Sequence, residues 1–187
     1  FDNGMNELAR RLGTLNVAVV CANYSFKGSP LDGLVKPYVI LEKAGKKIGI
    51  IGLLTDVTSV VDKDIAAQLS YRNPAEAANE YAKMLKVDQR CDLVICLTHL
   101  GFDGESYVDT ELAAQTRNVD VIVGGHSHTM LKDHHNVYNL DGEPVTIVTD
   151  WKWGLNIGNL KVNFTPQRLY GKYLDLLPEK VFSYDGS

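Results

Sequence analysis

Three histidines follow apolar segments in a pattern that suits metal-dependent chemistry. His99 lies just past the apolar run of LVICLTHLG (93–101), and His126 and His128 follow the segment DVIVGG. Ligand sites in α/β sheets form outside the carboxyl ends of strands, so we expect these rings to converge at one edge of a sheet. Imidazole is a good ligand for zinc, iron, nickel and related metals. The pattern favours a metal site, although a single histidine after a strand more often has a structural role.

The spacing of His126 and His128 refines this prediction. In extended backbone, residues two apart point the same way and lie about 6.6 Å apart along the chain. Such a pair can serve one ion, or two ions about 3.5–4 Å apart with one imidazole each. Gly124 and Gly125 let the backbone approach a ligand closely. A rival cluster, Asp133-His134-His135, lies in a polar segment that enters a hairpin, and we interpret it as solvated surface.

The elements that must position these residues follow from periodicity and capping signals. Helices are predicted from Met5, from Asn73 and over 109–117, with Asp2 or Asn3, Asn73 and Asp109 as their respective caps. Buried strands are predicted at 17–23, at the second arm of a hairpin over 38–55, at 91–99 and at 119–123, followed by a hairpin around Asp141-Gly142 and strands at 155–164 and 168–177. Helix–strand units followed by an antiparallel run predict a mixed α/β fold with helices outside. The last nine residues, EKVFSYDGS, are interpreted as a linker.

Composition bounds the class of protein. The chain has 187 residues, 45% of them hydrophobic and 22% charged, with a net charge of −4. These values predict one soluble domain over 1–187, without a nucleic-acid surface, and no apolar run is long enough for a membrane span. Cys21, Cys91 and Cys96 are too few for a disulfide framework and are expected to be buried thiols. Neither G-x-G-x-x-G nor G-x-x-x-x-G-K-[ST], the glycine-rich motifs of nucleotide-binding proteins, occurs.

Several motifs together resemble one family. Phe1-Asp2-Asn3-Gly4, Ala22-Asn23-Tyr24, THLG at 98–101, GGHSHT at 124–129 and LNIGNLKVNF at 155–164 occur in this order. They are similar to the metallophosphoesterase (calcineurin-like) domain of the 5′-nucleotidase family, in which FDNG closes the longer block GNHEFDNG. The resemblance extends to about residue 164. It implies an α/β metallophosphoesterase fold, a sandwich of mixed sheets flanked by helices in four layers (αββα).

The resemblance also implies a chemistry. It predicts hydrolysis of phosphate esters of nucleotides, of the 5′-nucleotidase, 2′,3′-cyclic nucleotide phosphodiesterase or UDP-sugar hydrolase type, by two divalent metal ions such as Zn, Mn or Mg. By residue-to-residue correspondence, His99 and His126 would bind one ion and His128 would contribute to the other. Asp2 would orient the catalytic imidazole, as carboxylate partners of histidine do elsewhere.

The sequence departs from the family pattern in ways that limit this expectation. The Asp-x-His block near the domain start, the Gly-Asp block with the bridging ligand, and the Asn and His of GNHE are absent. The opening lacks an initiator Met, so we expect a fragment that binds metal weakly and is inactive alone. A C-terminal nucleoside-binding domain, in cis or in trans, would be its partner, and periplasm or cell surface its location. The alternative is a non-catalytic α/β module that binds a metal or a partner.

Other polar and aromatic residues near predicted strand ends are open to two interpretations. Asn23 could approach the site, but a turn role is favoured. Thr55-Asp56 could support the ligands of the site, but a role as cap of the segment that follows is favoured. Trp151 and Trp153 could pack in the core or form a wall of the site.

Overall fold

The computed structural model describes residues 1–104, 107–165 and 179–186 of the chain. Its helices are α1 (Gly4–Leu12), α2 (Lys63–Ala66), α3 (Pro74–Lys83) and α4 (Asp109–Gln115), and a π-helical turn at Met84–Asp88 continues α3. Its strands are β1 (Val19–Val20), β2 (Tyr24–Ser25), β3 (Val35–Lys36), β4 (Tyr38–Lys43), β5 (Lys46–Leu54), β6 (Ser70–Tyr71), β7 (Leu93–His99), β8 (Val121–Val123), β9 (His135–Tyr138), β10 (Pro144–Val148), β11 (Gly158–Thr165) and β12 (Glu179–Gly186).

A six-stranded mixed sheet forms the centre of the fold. Its strand order is β4-β5-β7-β8-β10-β9, with β5, β7, β8 and β10 parallel to one another and the two edge strands antiparallel. The register pairs Leu54 of β5 with His99 of β7, so these strands end at the same level. The predicted mixed α/β fold is confirmed, and the carboxyl ends of four parallel strands share one edge.

The hydrophobic core lies between this sheet and helices α3 and α4. Ile51, Gly52 and Leu53 of β5 are buried in succession, which confirms that both faces of this strand are covered. The largest buried aliphatic side chains include Ile51, Leu85, Leu112, Ile122 and Ile147. A Cβ on Gly49 would lie within 2.8 Å of the Leu85 side chain, so a glycine in β5 lets the end of α3 pack closely on the sheet.

The predicted hairpin over 38–55 is confirmed, with a two-residue turn at Ala44-Gly45. Both turn residues have positive φ, 51° and 74°. Such turns match the right-handed twist of the flanking strands, although a non-glycine residue pays a steric cost there.

Helix α3 begins as its capping signals predict. The Asn73 side chain accepts hydrogen bonds from the backbone N–H groups of Ala75 and Glu76, and Pro74 occupies the first helical turn. The buried face consists of small residues, among them Ala77, Ala78 and Ala82. Small side chains allow close approach to the sheet.

Three fold predictions need correction or fall outside the described residues. The strand predicted at 17–23 is confined to Val19–Val20, which pairs with β3. The linker predicted at EKVFSYDGS is wrong, because Glu179–Gly186 is strand β12 and pairs along the whole of β11. The strand predicted at 168–177 lies outside the described residues.

Strands β11 and β12 form a separate, smaller antiparallel sheet. It is joined to the end of β10 through Tyr184, whose hydroxyl donates to the Thr149 carbonyl at 3.3 Å and also bonds to the Asp150 carboxylate. Among the described helices none is long and apolar enough to cross a membrane. The cysteines are free thiols, with Cys91 and Cys96 buried and Cys21 partly so.

Candidate functional site

The carboxyl edge of the central sheet brings two of the predicted histidines together. His99 is the last residue of β7, and His126 lies in the loop that follows the neighbouring strand β8. Their ring centroids are 4.9 Å apart and their planes meet at 61°. The predicted convergence of His99 and His126 is therefore confirmed, because parallel neighbouring strands deliver both rings to the same edge.

The environment of His99 favours the neutral ring. Partial burial lowers the pKa of His99, and the nearby His126 and His128 lower it further because a second positive charge would be repelled. All three residues remain exposed overall, so an ion or a substrate can reach them. A neutral imidazole has a free nitrogen lone pair, which is the form that binds metal.

The backbone of the GGHSH loop differs from the extended form that the spacing predicts. Strand β8 ends at Val123, and His126 and His128 have φ of 82° and 56°. The prediction of extended backbone from His126 to His128 is wrong. The physical reason is that the chain turns at Gly125, whose carbonyl accepts the Ser127 N–H at 3.2 Å. Left-handed backbone at a non-glycine residue is strained, and such strain clusters at functional sites.

Hydrogen bonds on the solvent side join the two histidine-bearing loops. The Phe102 N–H donates to the Ser127 hydroxyl at 3.0 Å. That hydroxyl also lies 2.8 Å from the Thr129 hydroxyl, which donates to the Asp103 carboxylate at 2.8 Å. Residues that alternate with the histidines in HSHT thus bind the loop that carries His99.

The two glycines before His126 have different surroundings. A Cβ on Gly124 would overlap Oδ2 of Asp109, whereas a Cβ on Gly125 would lie 3.5 Å from Nδ1 of His99, an ordinary contact. Gly124 is therefore required by packing against Asp109. Gly125 leaves space beside the His99 ring, which fits the predicted close approach of a ligand.

Asp109 does not cap α4 as predicted. Val108 is the residue before the helix, and Asp109 is its first residue and fully buried. Burial raises the pKa of Asp109 to about 7, and the neighbouring Thr98 hydroxyl offsets part of this effect. The sequence signal, an acidic residue at a helix start, is the same for a solvated cap and for a buried carboxyl.

Asn23 supports the sheet edge and does not serve a turn, so that prediction is wrong. The side chain is fully buried. Its Nδ2 donates to the Leu54 carbonyl at 2.7 Å, and its Oδ1 accepts the Leu54 N–H at 3.0 Å. An amide side chain offers one donor and one acceptor, so it can pair with a strand end as a neighbouring strand would.

Asp2 lies just before α1, and the residues around it belong to the chain start and to that helix. It lines a cavity of about 190 Å³ together with Phe1, Asn3, Gly4, Glu7, Leu8 and Arg11. Among the residues that the structure describes, Asp2 has no hydrogen bond to His99, His126 or His128. Its assignment as partner of a catalytic imidazole stays a prediction.

The remaining candidate residues lie in a turn or at the surface. The Asp56 carboxylate accepts from the Thr58 N–H at 2.9 Å and from its hydroxyl at 2.6 Å, so it closes the turn after β5, as expected. Asp133 and His135 are exposed, as expected for surface, whereas His134 is partly buried and its Nδ1 lies 2.8 Å from the Asp133 carboxylate.

The two tryptophans are not core residues. Trp153 is 78% exposed and Trp151 39% exposed, and Lys152 lies over both rings. The Trp151 N–H donates to the Thr129 carbonyl at 3.0 Å, so Trp151 lies next to the histidine loop and remains a candidate wall of the site.

The residues present fit a metal site in part. Two imidazoles meet at a sheet edge, His99 favours its neutral form, and Gly125 leaves space beside it. Within the described ranges, however, no group of three or more His, Cys, Asp or Glu side chains is arranged to hold one ion. The chain therefore supplies a histidine pair, and a complete ligand set needs further groups.

Relatives of this chain share much of its length. It is 35% identical, over its whole length, to a 5′-nucleotidase-related protein of Glossina morsitans morsitans, of which the match covers 34%. It is 32% identical over 88% of its length to a probable 5′-nucleotidase of Treponema pallidum, covering 29% of that protein. The chain thus spans about a third of these relatives. No protein-family model matches it.

Solved structures agree with these relatives. A 5′-nucleotidase precursor from Thermus thermophilus superposes with a TM-score of 0.79 at 33% identity, over 88% of this chain and 34% of that one. The NAD nucleotidase of Haemophilus influenzae gives 0.76 at 30% identity, over 89% of this chain and 31% of that one. The calcineurin-like phosphoesterase YfkN of Bacillus subtilis, at 20% identity over 94% of this chain and 57% of that one, has a TM-score of 0.67 and supports the fold alone.

Proposed function

The chain belongs to the 5′-nucleotidase family, as its metallophosphoesterase part, and from this premise we propose that it serves a two-metal hydrolysis of phosphate esters of nucleotides. The observation that carries the proposal is the pair of imidazoles at the carboxyl edge of the sheet, 4.9 Å apart. Partial burial and two neighbouring rings keep His99 in the form that binds a cation. Because the chain spans only part of its relatives, the activity is proposed for the protein that contains it.

The ligands are assigned by position in the motifs. His99 and His126 would hold one divalent ion, and His128 would contribute to the second. Zn, Mn and Mg are all compatible with a mixed histidine and carboxylate site. Bound there, divalent cations supply charge that offsets the phosphate and acidity that makes water a nucleophile at neutral pH.

The chain's own residues orient this chemistry. The bonds from Phe102 and Asp103 to Ser127 and Thr129 hold the two loops together. The missing Cβ of Gly125 leaves the His99 ring approachable. Asp2 would orient the family's catalytic imidazole, which is not part of this sequence, through a charge-assisted hydrogen bond to its second nitrogen.

Substrate and partner follow from the family. The substrate would be a nucleoside 5′-monophosphate, a cyclic nucleotide or a UDP-sugar, and a C-terminal nucleoside-binding domain would choose among them. A periplasmic or cell-surface location fits a family that includes a snake-venom 5′-nucleotidase among its members.

Metal binding tests the ligand assignment. The metal-free protein is titrated with Zn²⁺ and with Mn²⁺ by calorimetry, for the wild type and for the His99→Ala and His126→Ala variants. Each variant should weaken binding by more than about tenfold, since an outer-shell partner alone is worth roughly 10–100-fold. The His134→Ala variant, in the surface cluster, is the matched control and should bind as the wild type does. Equal losses in all three variants would contradict the assignment.

Catalysis tests the rest of the proposal. The 187-residue chain should bind these ions weakly and should not turn over 5′-AMP or a bis-phosphate ester at a useful rate, because the bridging ligand and the catalytic imidazole are not in its sequence. A longer protein that carries those blocks should hydrolyse 5′-AMP and lose the activity in the His126→Ala variant. Turnover by the short chain at the rate of an intact 5′-nucleotidase would refute this account.

A non-catalytic metal- or partner-binding module is the alternative function. The absence of a three-ligand group among the described residues favours it. If the gene upstream of Phe1 encodes neither an Asp-x-His nor a Gly-Asp block, this alternative replaces the enzyme.

A further inference from the structure

Asp109 is a buried carboxyl group that the assigned chemistry does not use. Its residue is 0% exposed, and neither carboxyl oxygen has a hydrogen-bond partner of good geometry within the part of the chain that the structure describes. Aspartate is almost never fully buried unless it is paired, and each orphaned polar group in a folded protein needs an explanation. The raised pKa of Asp109 reflects the same cost of burial.

Helix capping does not explain this residue. The residue before α4 is Val108, and no side chain makes a capping hydrogen bond at this helix start. A solvated carboxylate elsewhere in the first turn, such as Glu111, interacts with the helix dipole without being buried. The explanation must therefore lie in what the Asp109 carboxyl contacts.

Asp109 contacts both loops that carry the histidines. Its backbone N–H donates to the carbonyl of Gly101 at 2.7 Å, two residues after His99. Its carboxyl group fills the space that a side chain on Gly124 would occupy, two residues before His126. Asp109 thus lies below the point at which the two loops meet, on the buried side.

Two connections at different depths fix the relation of the loops. Ser127, Thr129 and Asp103 join them on the solvent side. Beyond the pairing of β7 with β8, which ends at Leu97 and Val123, the two connections together restrain the separation of the loops more than either one does alone. We propose that Asp109 is a positioning residue, a wedge between the loops after β7 and β8 that sets the separation of the His99 and His126 rings.

Only the predicted effect of Asp109 on metal binding rests on the proposed function. In the metal-free protein, the predicted effect of Asp109 is on the separation of the His99 and His126 rings. Ring protons of His99 and His126 should show a nuclear Overhauser cross-peak, as a centroid separation of 4.9 Å requires. Asp109→Asn keeps the shape of the wedge and should keep the cross-peak, whereas Asp109→Ala removes the wedge and should abolish it. Glu111→Gln, on the exposed face of the same helix, is the matched control and should change nothing.

Metal affinity is the second measurement on the same variants. Asp109→Ala should weaken Zn²⁺ binding by about tenfold or more, the range for residues that orient ligands, and Asp109→Asn should restore most of it. If Asp109→Ala does not fold, Asp109→Ser takes its place, since it also shortens the side chain. An unchanged cross-peak in a folded Ala or Ser variant would overturn the proposal, as would its loss in the Glu111→Gln control.

The two proposals fail differently. A wild-type protein that shows the cross-peak but binds neither Zn²⁺ nor Mn²⁺ contradicts the proposed function and leaves the wedge supported. If the Asp109→Ala variant binds metal through His99 and His126 as tightly as the wild type does, the wedge alone is contradicted.

Discussion

Two adjacent glycines should respond in opposite ways to the same substitution. In Gly124→Ala the new methyl group would overlap Oδ2 of Asp109 and lie 3.5 Å from its Cγ. The carboxyl has little room to move, because Asp109 is fully buried and its backbone N–H is bound to Gly101. Overpacking of this kind costs about 1–3 kcal/mol of unfolding free energy.

Gly125→Ala should be neutral or stabilising. Its methyl group would lie 3.5 Å from Nδ1 of His99 and 3.6 Å from the Thr98 carbonyl, both ordinary contacts. Neither glycine has a positive φ, so alanine can adopt the backbone without strain. Replacing glycine in such a position stabilises a protein by about 0.4–1 kcal/mol, because the unfolded chain loses freedom.

Urea denaturation of the metal-free protein at pH 7 measures both effects, provided that the slope of the transition is unchanged. The double variant Asp109→Ala with Gly124→Ala identifies the cause, since removing the carboxyl should relieve most of the cost of the second methyl group. If Gly125→Ala is as destabilising as Gly124→Ala, or if Gly124→Ala costs as much without the Asp109 carboxyl, the packing described for this loop is wrong.

Three other perturbations address the support of the site. Burial raises the pKa of Asp109 from 3.8 to about 7. The contribution of Asp109 to the unfolding free energy is therefore full below pH ~4 and is lost as pH rises through ~7. Relative to wild type, the unfolding free energy of Asp109→Asn should increase by up to about 4 kcal/mol between pH 4 and 8. If Asp109→Asn keeps the pH dependence of stability of the wild type, the Asp109 carboxyl is not its cause. Asn23→Ala should lose about 3 kcal/mol of unfolding free energy in urea, because both backbone groups of Leu54 lose their partners; a loss below ~1 kcal/mol would mean that water replaces the amide. Ala44→Gly should raise the unfolding free energy by up to about 1 kcal/mol, since φ of Ala44 is 51°, and a decrease would contradict the left-handed turn.

Sequence reasoning succeeded where the signal is local. The caps at Asn73 and Pro74 predict α3 because a side-chain acceptor and a fixed φ act within one helical turn. The apolar run of β5 and the glycine of the turn before it, Gly45, predict the hairpin for a similar reason. Strand β12 was missed, because its partner β11 lies across a connection of residues 166–178 and pairing of this kind leaves no local mark.

In the candidate site, too, some features follow from the local sequence and others depend on the tertiary structure. The motifs THLG and GGHSHT, with FDNG before them, predict the family, the residues proposed to bind metal and the kind of sheet edge that carries them. The tertiary structure decided how those residues meet. Parallel pairing of β7 with β8 brings His99 within 4.9 Å of His126, and a turn gives His126 and His128 left-handed backbone. It also buries Asp109 beneath both loops, since burial depends on what packs around a residue and a helix start has the same sequence whether water or a neighbouring loop covers it.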